Sequence, residues 1–164
     1  MSANKQLPHV YVLPEDDANR QLAIGFHKEV TWHRQRQMLV LEVARGWKKV
    51  LELFGSVHVA EMNRCPARFM VLLLDFDNQQ EERLQQSQSD IPAHLTERVF
   101  ILGALNEPEA LKPVLGSYEE IGSKLARDCR DETNDTWGHA LLQHNAVELA
   151  RLRQYVLPIL FPFM

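Results

Sequence analysis

Four short stretches of unbroken apolar sequence, each separated from the next by a helical pattern, constrain this chain more than any other feature. They are His9–Leu13 (HVYVL), Gln37–Val43 (QMLVLEV), Phe69–Leu74 (FMVLLL) and Arg98–Leu105 (RVFILGAL). Apolarity that does not alternate marks strands buried on both faces, as in a sheet covered by helices on either side. Leu22, Ile24 and Phe26 give Asp16–Lys28 a mixed apolar face, with Pro14 well placed just before the helix. In Arg45–Phe54, Trp47, Val50, Leu51 and Phe54 recur at helical spacing. The polar stretch Asn78–Asp90 suits an exposed helix or loop, and further helical patterns cover Tyr118–Asp131, Trp137–Gln143 and Val147–Leu160. In the last, Val147, Leu149, Leu152, Tyr155 and Val156 form one broad stripe. This alternation predicts an α/β fold with a mostly parallel central sheet of about four strands and helices on both faces. All 164 residues are expected in one domain, with a core at about 8–116 and a helical C-terminal part at about 117–164.

Composition narrows the function classes. A formal net charge of −4 excludes a wholly basic nucleic-acid coat but leaves room for a local basic groove or a metal-dependent nuclease. No stretch reaches the ~20 apolar residues of a membrane span, and Met1 to Pro8 lacks the apolar core of a secretion signal. Cys65 and Cys129 are too few for a disulfide framework and fit free thiols in a reducing cytoplasm. The apolar end, Val156 to Phe161, is interrupted by Pro158 and is expected to pack on the core, on a second copy or on a protein partner.

Chemistry is expected at the carboxyl ends of the strands, where open α/β sheets collect ligands. Glu15, Asp16 and Asp17 follow the first strand, Asp75 and Asp77 follow the third, and Glu107 and Glu109 lie beyond the fourth. In a parallel sheet these carboxylates converge and repel one another, and a hard divalent cation such as Mg²⁺ or Mn²⁺ relieves that repulsion. An extended chain directs residues i and i+2 the same way, so Asp75 and Asp77 are expected to reach one ion. Each acid also has a structural reading as a turn residue or helix N-cap, and Asp16 and Asp17 suit a helix dipole.

PEDDANRQLA after the first strand and LLLDFDNQ after the third resemble the Toprim family of topoisomerases, primases and OLD-type nucleases. The resemblance covers roughly the first two-thirds of the chain. It implies Glu15 as the family's glutamate in general acid/base work, and Asp75 and Asp77 as its Asp-x-Asp metal pair. Glu107 or Glu109 stands as a further acidic ligand. Asp16 takes the place of the glycine that usually follows the glutamate, which leaves Asp17 as an alternative alignment. Together these imply Mg²⁺-dependent cleavage of nucleic-acid phosphodiesters, in phage defence or mobile-element biology, by an enzyme or by a subunit working with a partner.

Lys48 and Lys49 are the candidate phosphate contacts, and Trp32 and His33 beside Arg34 can stack on bases or guanidinium. His139 and His144 lie five residues apart, about 140° around a helix, and do not chelate together; His144 and Asn145 read as a helix cap. No GxxxxGK[ST], GxGxxG or GxSxG is present. The competing reading is a catalytically inactive binding or regulatory module on the same frame. A phosphotransfer domain is disfavoured, because Gln79 and Gln80 break the dehalogenase pattern and no lysine follows the fourth strand as a receiver domain requires.

Overall fold

The computed structural model describes residues 3–162. Its centre is a sheet of four parallel strands in the order β2-β1-β3-β4, with β1 (His9–Pro14), β2 (Met38–Val40), β3 (Arg68–Leu73) and β4 (Val99–Leu102). Strand side chains alternate between two cores, as the pleat requires. Val10, Val12, Val71, Phe100 and Leu102 enter one; Tyr11, Leu13, Met70, Leu72 and Ile101 enter the other. The expected α/β fold with helices on both faces is what the chain adopts.

The first core is closed by α1 (Asp17–Glu29), α6 (Tyr118–Asp131), α7 (Ala146–Tyr155) and α8 (Leu157–Leu160), through Leu22, Ile121, Leu149 and Leu160. Helices α1 and α6 touch backbone to backbone. A Cβ at Gly25 would fall 2.0 Å from Glu119 O, and one at Gly122 would fall 1.9 Å from Leu22 O, so glycine alone fits at both. The second core is closed by α2 (Trp47–Leu53), a π-helical turn (Phe54–His58), α3 (Val59–Arg64) and α4 (Gln80–Ser89), with Val50, Phe54, Met62 and Leu84 facing the sheet. A short helix α5 (Lys112–Leu115) precedes α6.

Several boundaries differ from the sequence reading. Regular β2 is shorter than Gln37–Val43 and ends at Val40, although Leu41 N–H still donates to Val12 O (2.9 Å) and Ala44 N–H to Pro14 O (3.0 Å) before a turn with positive φ at Arg45 and Gly46. Regular β4 ends at Leu102, yet Phe76 N–H still donates to Ala104 O (3.1 Å), so β3 and β4 run on as an irregular pair. In place of a helix over Trp137–Gln143 the chain makes a series of turns up to Leu142 and then a short 3-10 helix, Gln143–Asn145. The buried Asp128 carboxylate draws in the Thr136 N–H (2.7 Å), the Trp137 N–H (3.1 Å) and the Thr133 hydroxyl (2.7 Å), holding the chain in a loop. Val147–Leu160 breaks at Val156, where Pro158 cannot continue the ladder, and Val147 is 80% exposed, outside the stripe. Val156, Leu157 and Leu160 pack into the first core and Phe161 meets Phe26 edge-on at 6.1 Å. Among the described residues, the apolar C-terminal segment packs on the core of its own chain. No helix among the described residues is long and apolar enough to cross a membrane.

Candidate active site

The strand order fixes where a ligand crevice lies. From β1 the chain passes through α1 to β2 on one side, and from β3 it passes through α4 to β4 on the other. Helix α1 covers one face and α4 the opposite face, so the sheet opens between the carboxyl ends of β1 and β3. Glu15, Asp16 and Asp75 stand there.

Glu15 continues β1 past its last residue, its N–H donating to Leu73 O at 2.9 Å. Its carboxylate accepts the Asp75 N–H at 2.6 Å and also interacts with the Trp47 N–H. Burial nevertheless raises its pKa, with the neighbouring Asp16 charge adding to the rise. Asp16 is the N-cap of α1, accepting the Asn19 N–H at 2.9 Å. Its structural role and its place among the acids are the same fact: the cap turns its carboxyl toward Asp75.

Asp75 is the most perturbed of the three. It is 8% exposed, and Asn19 Nδ2, itself buried, donates to its Oδ1 at 2.9 Å. Desolvation, helped by the charges of Asp16 and Glu15, pushes its carboxyl up to about 8. At neutral pH Asp75 therefore holds a proton. Asn19 Oδ1 is buried without a partner, and Asn19 also borders a cavity of about 90 Å³ beneath α1.

The other expected residues lie at different depths. Asp77 does not point with Asp75: β3 has ended, and Asp77 and Asn78 take left-handed φ values of 48° and 58°. The extended-chain spacing argument therefore fails here, and Asp77 faces Arg83 instead, 3.6 Å from its Nη2. Asp17 is exposed and binds Gln21 and Arg20 of its own helix. Glu107 and Glu109 are exposed, and Glu109 lies within reach of the Tyr118 hydroxyl. Burial and the charges of Glu109, Asp16 and Asp75 all raise that phenol's pKa, which places Tyr118 at the rim of the cluster. Lys48 lies 5.7 Å from the Trp47 ring centroid, and Lys49 pairs with Glu52 at 3.0 Å.

Asn19, Arg83 and Tyr118 were not singled out from sequence. Arg83 comes from the polar helix α4; its Nη1 donates to Asp75 O at 2.6 Å and its guanidinium stacks 4.9 Å from the Trp47 ring centroid. An arginine eight residues beyond an acidic strand end was the available signal. His144 and Asn145 do not end a helix over 137–143; Asn145 stands at the N-cap position of α7, but its side chain makes no capping hydrogen bond there. The Asn145 side chain grips both Gly103 N–H (3.1 Å) and Gly103 O (2.9 Å), and His144 Nε2 lies 2.7 Å from the same oxygen.

The donor chemistry fits a hard divalent cation. The convergent groups are oxygens, and no cationic side chain neutralises the Asp75 carboxyl, which takes up a proton instead. Mg²⁺ needs one or two carboxylates beside its waters. Among the described residues, no group of three His, Cys, Asp or Glu side chains is already arranged to hold a metal ion. Comparison with family models, curated proteins and solved structures finds no match.

Proposed function

We propose that this edge is the active site of a Mg²⁺- or Mn²⁺-dependent nuclease, or nuclease subunit, acting on nucleic-acid phosphodiesters. One observation carries the reading: Asp75, beside Asp16 and Glu15 at the switch point of the sheet, is held protonated to about pH 8. Carboxyls displaced this far, in a crevice, are typical of working sites. A cation taking the place of that proton would convert the repulsion into binding.

Asp75 and Asp16 are the residues that would hold the ion, with Asn19 fixing the Asp75 carboxyl through its amide. Bound there, such an ion supplies charge neutralisation at the phosphodiester and activation of the attacking water. Glu15 is the general base. Its position is set by two backbone N–H groups, and its raised pKa improves proton uptake from water. Asp77 is left out of the ion-binding set because its turn directs it to Arg83. The free thiols Cys65 and Cys129 suit a reducing compartment, and we place the activity in the cytoplasm.

Thermal unfolding with increasing Mn²⁺ or Mg²⁺ and hydrolysis of labelled DNA and RNA test the reading together. A metal-dependent rise in Tm and cleavage are expected, both lost in Asp75→Asn, with cleavage alone lost in Glu15→Gln. A chain that neither responds to metal nor cleaves either polymer overturns it.

A further inference from the structure

We propose that Arg83 is the phosphate-binding arginine of this edge, and that Asp77 occupies it until a nucleic-acid phosphate takes its place. The inference rests on the nuclease reading and adds the group that grips the substrate.

The Arg83 side chain is only 13% exposed, yet its fork is largely unspent. Nη1 is anchored on Asp75 O, Nε is buried without a partner, and Nη2 faces Asp77 Oδ2 at 3.6 Å, beyond hydrogen-bond length. The Trp47 face limits how far the guanidinium can swing. A planar, always-charged fork with free N–H groups matches the oxygens of a phosphate. Because Nη1 bonds the carbonyl of Asp75 itself, the guanidinium lies directly beside the residue whose carboxyl belongs to the acid cluster.

Asp77 is suited to yield. Its side chain is 54% exposed, so its attraction for Arg83 is weak and screened. The left-handed turn at Asp77 and Asn78, tied by Asn78 N–H to Leu105 O (2.7 Å), presents the carboxylate to Arg83. Lys48, 5.7 Å from the centroid of the same Trp47 ring, is a second cation near Arg83 that a strand's phosphates would meet.

The test is fluorescence anisotropy of labelled DNA and RNA oligonucleotides at pH 7 in EDTA, so that no metal contributes. Arg83→Gln is expected to weaken binding by about 10-fold or more and to reduce the slope of log K against log salt by about one. Arg83→Lys is expected to fall between Arg83→Gln and the wild type, since charge returns without the fork. Asp77→Asn, an exposed change that leaves the fold intact, is expected to tighten binding by roughly 3-fold or more, and to do nothing in the Arg83→Gln background. The proposal is overturned if Asp77→Asn leaves affinity unchanged or weakens it, if Arg83→Gln keeps the wild-type affinity and slope, or if the wild-type chain binds neither polymer. Binding that behaves as expected in a chain showing no metal response would refute the hydrolytic reading alone.

Discussion

The two ends of the sheet bury opposite charges and solve the problem differently. β1 starts at His9 and is followed by the acids at 15 and 16, and β3 starts at Arg68 and is followed by Asp75, so each central strand has a basic group at its start and an acid just past its end. At the amino end Arg68 is 2% exposed and has no ion pair among the described residues. Its Nε donates to His9 Nε2 at 3.0 Å, Nη2 donates to the Tyr11 hydroxyl at 3.2 Å, and the guanidinium stacks 3.9 Å from the Tyr11 centroid. A guanidinium does not give up its proton, so the fold surrounds it with acceptors and a π face. At the carboxyl end Asp75 escapes its charge by taking a proton. The first end is fixed, whereas the second, on the function proposed above, exchanges a proton for a cation.

The largest expected effect strikes the fixed end. Arg68→Ala strands His9 Nε2 and the Tyr11 hydroxyl beside a void, and is expected to cost about 2–4 kcal/mol in urea unfolding. A loss below about 1 kcal/mol would mean that the cation contributes little to holding that end together.

At the adjustable end the substitution runs the other way. Native Asp75 keeps its proton up to about pH 8, while the unfolded chain releases it near 3.8. Stability from this group is therefore full below about pH 4 and declines as pH rises toward 8. Asp75→Asn, neutral throughout, is expected to exceed the wild type by about 1–3 kcal/mol at pH 8 and to converge with it near pH 4. Parallel curves for the two proteins would remove the basis for a protonated Asp75.

The histidines reverse the sign. Burial lowers the pKa of His9 and of His58, and the Arg68 charge lowers both further. Their stabilising contribution is present above the ordinary value of 6.5 and is lost as pH falls below it. His9→Gln, which cannot be protonated, is expected to flatten the acid limb by up to about 1.4 kcal/mol per pH unit. An unchanged slope would assign the limb to other groups, such as His144, whose pKa burial also lowers.

The smallest effect lies outside both ends. Lys49 and Glu52 form a pair at 3.0 Å with side chains 59% and 65% exposed, so Lys49→Ala is expected to stay within about 0.5 kcal/mol.

Much of the frame was legible because continuous apolar runs need two covering layers, and all four strands lie where those runs are. The placement of Glu15 and Asp75 side by side at strand ends was legible for the same reason, since the strand-end rule depends on topology alone. Asp77 was not, because the spacing argument assumes an extended backbone and the turn at Asp77 and Asn78 is left-handed. The turns at 137–142 escaped the reading because Asp128, one helix upstream, captures amides that helical periodicity would assign elsewhere. Arg83 escaped because α4 reads as an ordinary solvated face, and only the fold shows that Trp47 and Asp75 O lie beneath it.

The glycine seam between α1 and α6 carries a mechanical corollary. The N-cap of α1 is Asp16, and the first residue of α6 is Tyr118, so both rims of the crevice are mounted on two rods fused without a side-chain cushion. Such a joint transmits displacement rather than absorbing it. A bulkier residue at 25 or 122 would push the two helices apart and spread the jaws of the crevice.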